Sequence, residues 1–229
     1  MKSDLPKVLH EINGQPMIRL LLDTLLPIGF DRFVLVVGHK ADLVRRVLAD
    51  YPVTFVLQEK QLGTGHAVSM ARKEMADFEG TTLVAAGDVP FLSRKSVDNL
   101  FAVHMRTRAA ATCLSALFDD PTGYGRILRK PGTDFLEAIV EHKDASPEVL
   151  KIREINSGTF CFDNRLLFET IDQISCENAQ QEYYLTDAVQ ILRSKGQTVS
   201  VVLTGDPDEV RGVNSAEQLR DLAEKFAAK

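Results

Sequence analysis

In Thr81-Thr82-Leu83-Val84-Ala85-Ala86-Gly87-Asp88, an apolar run stops at a glycine and a carboxylate. Consecutive apolar residues, without the alternation of a half-exposed strand, mark a strand buried on both faces. Phe33 to Val37, ending at Gly38, has the same character, and Thr54 to Leu57 is a third extended run. Between and around these runs the apolar period changes to that of a helix. Gln15 and Pro16 open a stretch with Ile18, Leu21, Leu22, Leu25 and Leu26 on one face, and Gly29 closes it. Ala41 to Ala49 and His66 to Phe78 read as helices, and Ser93 caps another running to about Arg108 before the strand Thr112 to Phe118. Strand and helix in alternation predict an α/β fold, a Rossmann-like, doubly wound and mainly parallel sheet.

The rhythm breaks after Asp119. Arg126 to Leu128 and Ala138 to Glu141 read as paired short strands around Pro131-Gly132, and Thr159 to Phe162 is extended again. Helices follow near Arg165 to Ile174 and Tyr184 to Ser194, then a strand at Val199 to Leu203 and a last helix capped by Ser215. No repeat or Pro/Gly-rich linker divides the sequence. One domain over residues 1–229, with a sugar-side subregion at about 119–186, is the organisation expected.

The 229 residues carry a net charge of -5, which gives no general attraction to nucleic acid or to an anionic membrane. An anionic ligand must therefore be held by a local site. Cys113, Cys161 and Cys176 are odd in number and lack metal-ligand spacing, as expected of reduced thiols in a cytoplasmic protein. Met1-Lys2-Ser3-Asp4-Leu5-Pro6 has no apolar signal-peptide core, and no run approaches the ~20 residues of a membrane span.

In an open α/β sheet, ligands sit beyond the C-terminal ends of the strands, where the polar clusters of this sequence fall. Gln58 and Gln61 offer amide donors and acceptors for the edge of a base, and Gly63 and Gly65 allow close backbone approach, although the same turn could be structural. Asp88 is placed to bind Mg²⁺ through oxygen, or to cap the next loop. Asn214 could be a second ligand or could N-cap the final helix with Ser215. Lys7 lies on a segment read as extended, where a lone lysine is usually a surface charge. Glu141-His142-Lys143-Asp144 reads first as a solvated charge cluster, Asn156-Ser157-Gly158 as a turn, and Glu182-Tyr183-Tyr184-Leu185-Thr186-Asp187 as a helix start.

Taken in order, several strings add to this. Leu5-Pro6-Lys7-Val8-Leu9-His10, Gln61-Leu62-Gly63-Thr64-Gly65-His66-Ala67, Gly87-Asp88-Val89-Pro90 and Asp120-Pro121-Thr122-Gly123-Tyr124-Gly125-Arg126-Ile127 come first. Ile139-Val140-Glu141-His142-Lys143-Asp144-Ala145, Glu154-Ile155-Asn156-Ser157-Gly158, Glu182-Tyr183-Tyr184-Leu185-Thr186-Asp187 and Gly212-Val213-Asn214 follow. The set resembles the uridyltransferase domain of bacterial bifunctional N-acetylglucosamine-1-phosphate uridyltransferases, over essentially the whole chain. The resemblance implies a nucleotide-diphospho-sugar transferase fold and transfer of UMP from UTP to N-acetylglucosamine 1-phosphate, giving UDP-N-acetylglucosamine and pyrophosphate. It implies that Lys7 pairs with phosphate oxygens. Gln58, Gln61, Gly63 and Thr64 would line the uracil pocket. Gly125, Glu141, Asn156, Tyr184 and Thr186 would surround ribose and sugar, and Asp88 with Asn214 would hold Mg²⁺. The alternatives are a nucleotidyltransferase for another sugar 1-phosphate, and a catalytically dead module that binds sugar nucleotides.

The sequence departs from that family in three places. The family pattern opens with an apolar strand and a Leu-Ala-Ala-Gly-x-Gly-Thr-Arg-Met loop that wraps the triphosphate, and only Met1 has a counterpart here. Bifunctional members continue into an acetyltransferase domain of hexapeptide repeats, whereas this sequence ends at Lys229. Ala86 stands where some relatives carry tyrosine. The resemblance places the family's first strand between those matching Val34–Val37 and Leu83–Ala86. A gap between them, or a slot filled by something else, is therefore expected, together with UTP binding weakened more than UDP-N-acetylglucosamine binding and no detectable turnover by residues 1–229.

Overall fold

The computed structural model describes residues 4–133 and 135–227; the readings placed on Met1, Lys2, Ser3 and Lys229 lie outside them. A short hairpin, β1 (Glu11–Ile12) and β2 (Gln15–Pro16), leads into α1 (Met17–Leu25), β3 (Val34–Val37), α2 (Ala41–Val47) and β4 (Thr54–Leu57). Next come α3 (Thr64–Met70), α4 (Arg72–Met75), β5 (Thr81–Val84), α5 (Arg94–Thr107) and β6 (Ala111–Leu117). Beyond Asp119 come β7 (Arg126–Arg129), β8 (Leu136–Val140), α6 (Pro147–Leu150) and β9 (Glu154–Asp163). The chain closes with α7 (Asn164–Ile171), α8 (Leu185–Ser194), β10 (Val199–Leu203) and α9 (Ala216–Ala227).

The helices begin and end where local chemistry directs. Ser93 accepts from the Ser96 N–H to start α5, and Gly29, at φ 90°, takes the left-handed conformation that ends the turn after α1. Ser215 and Gln218 form a reciprocal capping box at α9, each side chain accepting from the other's backbone N–H at 3.1 Å. Met17, Ile18, Leu21, Leu22 and Leu25 of α1 are all buried, as the helical spacing requires. Each such side chain contributes about 1.5–3 kcal/mol by leaving water.

Strand β9 is the spine of the larger sheet. Its C-terminal half pairs antiparallel with β5 on one side and β6 on the other, and its N-terminal half pairs with β6 and β7. Strand β10 adds parallel to β6, and β8 adds antiparallel to β7. It follows that β5, β6, β7 and β10 share one direction, and β8 and β9 run against them. Apolar side chains pack on both faces: α1, α2 and α5 belong to one buried cluster, and α7 and α8 to another. The outcome is α/β architecture with a mixed sheet.

Asn156-Ser157-Gly158, read as a turn, lies inside ten-residue β9. Asn156 pairs with Ser115 while Phe160 pairs with Cys113, so the register slips here, and Gly158 at φ 77° absorbs the irregularity. Turn-forming composition marked a bulge, because ladder pairing on both sides overrides local preference. Lys7 is likewise not on an extended segment but opens a 3-10 turn, Lys7–Leu9.

Strands β3 and β5 do not pair. Among the described residues β3 bonds only to β4, as a separate parallel pair, and β5 bonds only to β9. A cavity of about 1130 Å³ lies between them, lined by Leu35 and Val84 among others. Every residue of β5 is consequently only half-buried, whereas all but the last residue of β6 is buried. The expected gap is present.

Candidate functional site

Asp88 projects just beyond β5 into a cluster assembled from three distant segments. The Lys7 ammonium donates both to the Asp88 carboxylate and to Asn214 Oδ1, the latter at 2.5 Å. The Asp88 carbonyl accepts from Val213 N at 3.1 Å, which fixes the Gly212–Asn214 loop against the end of β5. A Cβ on Gly212 would sit 3.7 Å from the carboxylate. Since the Ser215–Gln218 box caps α9, Asn214's side-chain oxygen is left to face Lys7.

This loop is anchored from below. Glu209 is 4% exposed and accepts from Ser93 N at 3.2 Å and from the Ser96 and Thr204 hydroxyls. Tyr124 reaches it from the loop before β7, its hydroxyl accepting from Gly212 N at 3.3 Å and its ring packed edge-on against Phe118. The sequence reading missed both residues. Tyr124 lies between Gly123 and Gly125, but nothing local signals that its hydroxyl meets Gly212.

The Gln58–Thr64 segment forms the second wall. Gln58 is buried, its amide nitrogen donating to the Gly63 carbonyl at 3.3 Å and lying 2.8 Å from His66 Nδ1. Gln61 Nε2 lies 2.6 Å from where a Cβ on Gly38 would stand, so Gly38 is needed for the close packing. The loop is sewn to the entry of α8: Tyr183 N donates to Leu62 O, Gly65 N to Tyr183 O at 2.7 Å, and Leu185 N to Thr64 Oγ1 at 3.0 Å. At Gly63, φ is 109°, and a Cβ would meet the Tyr183 backbone at 2.7 Å and 2.9 Å.

The third group begins one turn further on. Thr186 donates to Glu141 Oε1 at 2.9 Å, and buried Tyr184 sits at the N-cap of α8. Glu141 is not part of a solvated cluster; Lys143 and Asp144 are exposed, but Glu141 is drawn in. Burial pushes its carboxyl above the usual range, Thr186 partly offsets this, and Asp187 and Asp144 add to it. Gly125 leaves room beside it, since a Cβ there would be 3.3 Å from Glu141 Oε2. The Gly125 carbonyl accepts from Asn156 N at 2.9 Å. Asn156 Oδ1 accepts from Gly158 N and from Cys113 Sγ, while its amide nitrogen makes no hydrogen bond among the described residues.

All twelve candidate residues are thus tied into one chain of contacts or line the cavity beside it. Gln58 and Gly63 connect through Tyr183 and Thr64 to α8. Thr186 and Glu141 connect to Gly125 and Asn156, and Tyr124 carries the chain to Gly212, Asp88, Asn214 and Lys7. Gln61, with Lys7 and Thr64, lines the cavity. The arrangement offers a cation flanked by two oxygen acceptors at one end, amide groups at one wall, and a buried carboxylate with an uncommitted amide at the other.

Known proteins match this chain closely. A MobA-like NTP transferase domain model matches residues 1–153. The "Bifunctional protein GlmU" of Bacillus subtilis is 45% identical over 226 residues, covering 99% of this chain and 49% of that protein. That of Brevibacillus brevis is 48% identical over 229 residues, covering 100% and 49%. The chain spans about half the length of these relatives. Among solved structures, a UDP-glucose pyrophosphorylase complexed with UDP-glucose superposes with TM-score 0.76 at 14% identity, covering 98% of this chain and 91% of that one. HddC from Yersinia pseudotuberculosis gives 0.69 at 20% identity, covering 99% and 92%. These neighbours show the α/β nucleotide-diphospho-sugar transferase fold. This chain belongs to the MobA-like NTP transferase domain family.

Proposed function

We propose that this chain is a uridyltransferase that joins UTP to N-acetylglucosamine 1-phosphate, yielding UDP-N-acetylglucosamine and pyrophosphate. The observation that carries the reading is the convergence of Asp88 and Asn214 oxygens on one cationic position, held by the Lys7 ammonium, in a site whose other groups are the Gln58–Thr64 segment and the Glu141–Thr186 pair. The GlmU relatives, at 45–48% identity across the chain, support it.

In this reading Gln58 and Gln61 present amide edges to uracil while Gly63 and Thr64 let the backbone close on it. Glu141 accepts from sugar hydroxyls, and the Asn156 amide donates to the N-acetyl carbonyl, with Gly125, Tyr184 and Thr186 shaping the cleft. A phosphate oxygen of the sugar 1-phosphate attacks the α-phosphorus of UTP, a new P–O bond forms, and the bond to the β-phosphate bridging oxygen breaks in line. No proton need be removed from a dianionic phosphate. The chain's work is therefore to align the two phosphates and to neutralise their charge with Lys7.

The oxygens of Asp88 and Asn214 already meet at one cation, so they fit Mg²⁺, a hard ion that keeps water and substrate phosphates as its other ligands. When bound, the ion would supply charge neutralisation at the phosphates.

The test is calorimetry of UDP-N-acetylglucosamine, UDP-glucose and a GDP-sugar, with pyrophosphate release measured in parallel in Mg²⁺ and in EDTA. The N-acetylated uridine sugar should bind tightest, and any turnover should vanish in EDTA. Equal binding of UDP-glucose would refute the assigned sugar, and preference for the guanine nucleotide would refute the assigned base.

A further inference from the structure

We propose that Glu209 is a positioning residue for the divalent-ion pair: it holds Asn214 in place relative to Asp88 without touching the ion or either substrate. The inference rests on the reading of Asp88 and Asn214 as the metal ligands. Glu209 is a buried carboxylate, 4% exposed, that the proposed reaction leaves unused. Its Oε2 accepts from Ser93 N at 3.2 Å, and its Oε1 accepts from the buried hydroxyls of Ser96 and Thr204. A carboxylate shut away from water is thus held by three donors, two from the start of α5 and one from the end of β10. At α5 these bonds form a capping box completed from outside the helix. Ser93 accepts from Ser96 N, the first half of the box. The second half needs a long acidic or amide side chain three residues on, reaching back to the N–H of the cap itself. Ser96 is too short to do so, and the first turn of α5 has no acidic residue. Glu209, 116 positions after Ser93, supplies the missing half.

The place of this contact in the chain is what links it to the metal. Ser93 stands five positions after Asp88, and Glu209 stands five positions before Asn214. The two short segments that carry the ligands are cross-linked twice. At one end Glu209 accepts from Ser93 N, and at the other Val213 N donates to Asp88 O at 3.1 Å. With the Val213 bond alone, the Gly212–Asn214 loop could pivot about it, since glycine leaves the backbone free to turn. Two separated bonds remove that freedom. Val210 and Val213, both 0% exposed, pin the strap on either side of Gly212. A helix cap by itself would serve only the stability of α5. Five residues from each ligand, the same cap becomes the far anchor of Asn214, and partners of this kind behind a metal ligand set its affinity.

The experiment compares Glu209→Ala, Glu209→Asp and Glu209→Gln in the whole chain. Mn²⁺ affinity, read by electron paramagnetic resonance with UDP-N-acetylglucosamine present, should fall by at least about tenfold in Glu209→Ala. Amide exchange at Val213 should quicken by about tenfold or more in the same variant. Affinity for UDP-N-acetylglucosamine in EDTA should stay within about twofold of wild type, because the uracil and sugar walls do not depend on the strap. Glutamine keeps the shape. Its carbonyl oxygen can serve Ser93 N–H while its amide donates to the two hydroxyls, which accept as readily as they donate, so both readouts should recover to within about twofold. Aspartate keeps the charge but is one methylene short, and should remain impaired by about fivefold or more in both; it decides the matter if Glu209→Ala does not fold. A lowered Tm with unchanged Mn²⁺ affinity in Glu209→Asp would reduce Glu209 to a helix cap and overturn the proposal, leaving the metal ligands as assigned. Loss of sugar-nucleotide affinity in EDTA in step with loss of Mn²⁺ would overturn it too, since the damage would then be general. A wild type that binds no Mn²⁺ would refute the metal reading and the proposal together.

Discussion

Gly63→Ala, compared with Gly29→Ala, isolates the clamp between the Gln58–Thr64 loop and α8. Both glycines have positive φ, 109° and 90°. At Gly29 a Cβ meets none of the described residues within 4 Å, so alanine there costs only its left-handed backbone, about 1–2 kcal/mol. At Gly63 the conformation, with ψ at 175°, is essentially restricted to glycine, at about 1–3 kcal/mol for another residue. The new methyl would also press on Tyr183 backbone atoms at 2.7 Å and 2.9 Å. Relief requires the loop to retreat, weakening Tyr183 N→Leu62 O and Gly65 N→Tyr183 O, each worth about 0.5–1.5 kcal/mol. The total is about 4 kcal/mol, against about 5–15 kcal/mol for a typical domain, so the variant should still fold. Urea unfolding followed by circular dichroism should place Gly63→Ala about 2–3 kcal/mol below Gly29→Ala with an unchanged m value. Affinity for UDP-N-acetylglucosamine should fall in the first variant only. If the two variants agree within about 0.5 kcal/mol, the loop is not pinned to Tyr183 and the clamp argument fails.

Three other substitutions probe the site. Asp88→Asn, in a chain extended by the family's glycine-rich loop, should lower turnover by at least about a hundredfold and abolish Mn²⁺ binding seen by electron paramagnetic resonance with UTP, while UDP-N-acetylglucosamine binding in EDTA changes little; near-normal turnover would remove Asp88 from the mechanism. Glu141→Gln should raise Tm at neutral pH yet weaken sugar-nucleotide binding by about tenfold or more. Burial raises this carboxyl's native pKa, so its ionisation costs the wild type stability as pH climbs from the unfolded value, about 4.3, through the native one. The Tm advantage should therefore close on acidification below that range, and a wild type more stable than the variant at neutral pH would contradict it. Asn156→Ala should erode the preference for UDP-N-acetylglucosamine over UDP-glucose in calorimetry; unchanged selectivity would place the specificity elsewhere.

What the sequence made legible was whatever one segment decides for itself. Uniform apolar runs located β3 and β5, helical spacing located α1, and Ser93 and Gly29 marked helix ends. Local rules failed where distant segments decide. Asn156-Ser157-Gly158 has the composition of a turn, but pairing with Ser115 makes it a bulged strand. Glu141 has the sequence neighbourhood of a solvated charge, but Thr186, 45 positions away, draws it inward. The links that join the walls of the site, Tyr124 to Gly212 and Gly65 to Tyr183, use backbone atoms on at least one side, and any residue type supplies those. The Lys7 cluster was readable only as separate candidates, since an Asp after a strand and an Asn before a helix each have a sufficient local role. The capping box resolves the second: with Ser215 and Gln218 serving α9, Asn214's side chain is not needed as the cap and is held toward Lys7. The site is thus specified by which local roles other residues have already filled.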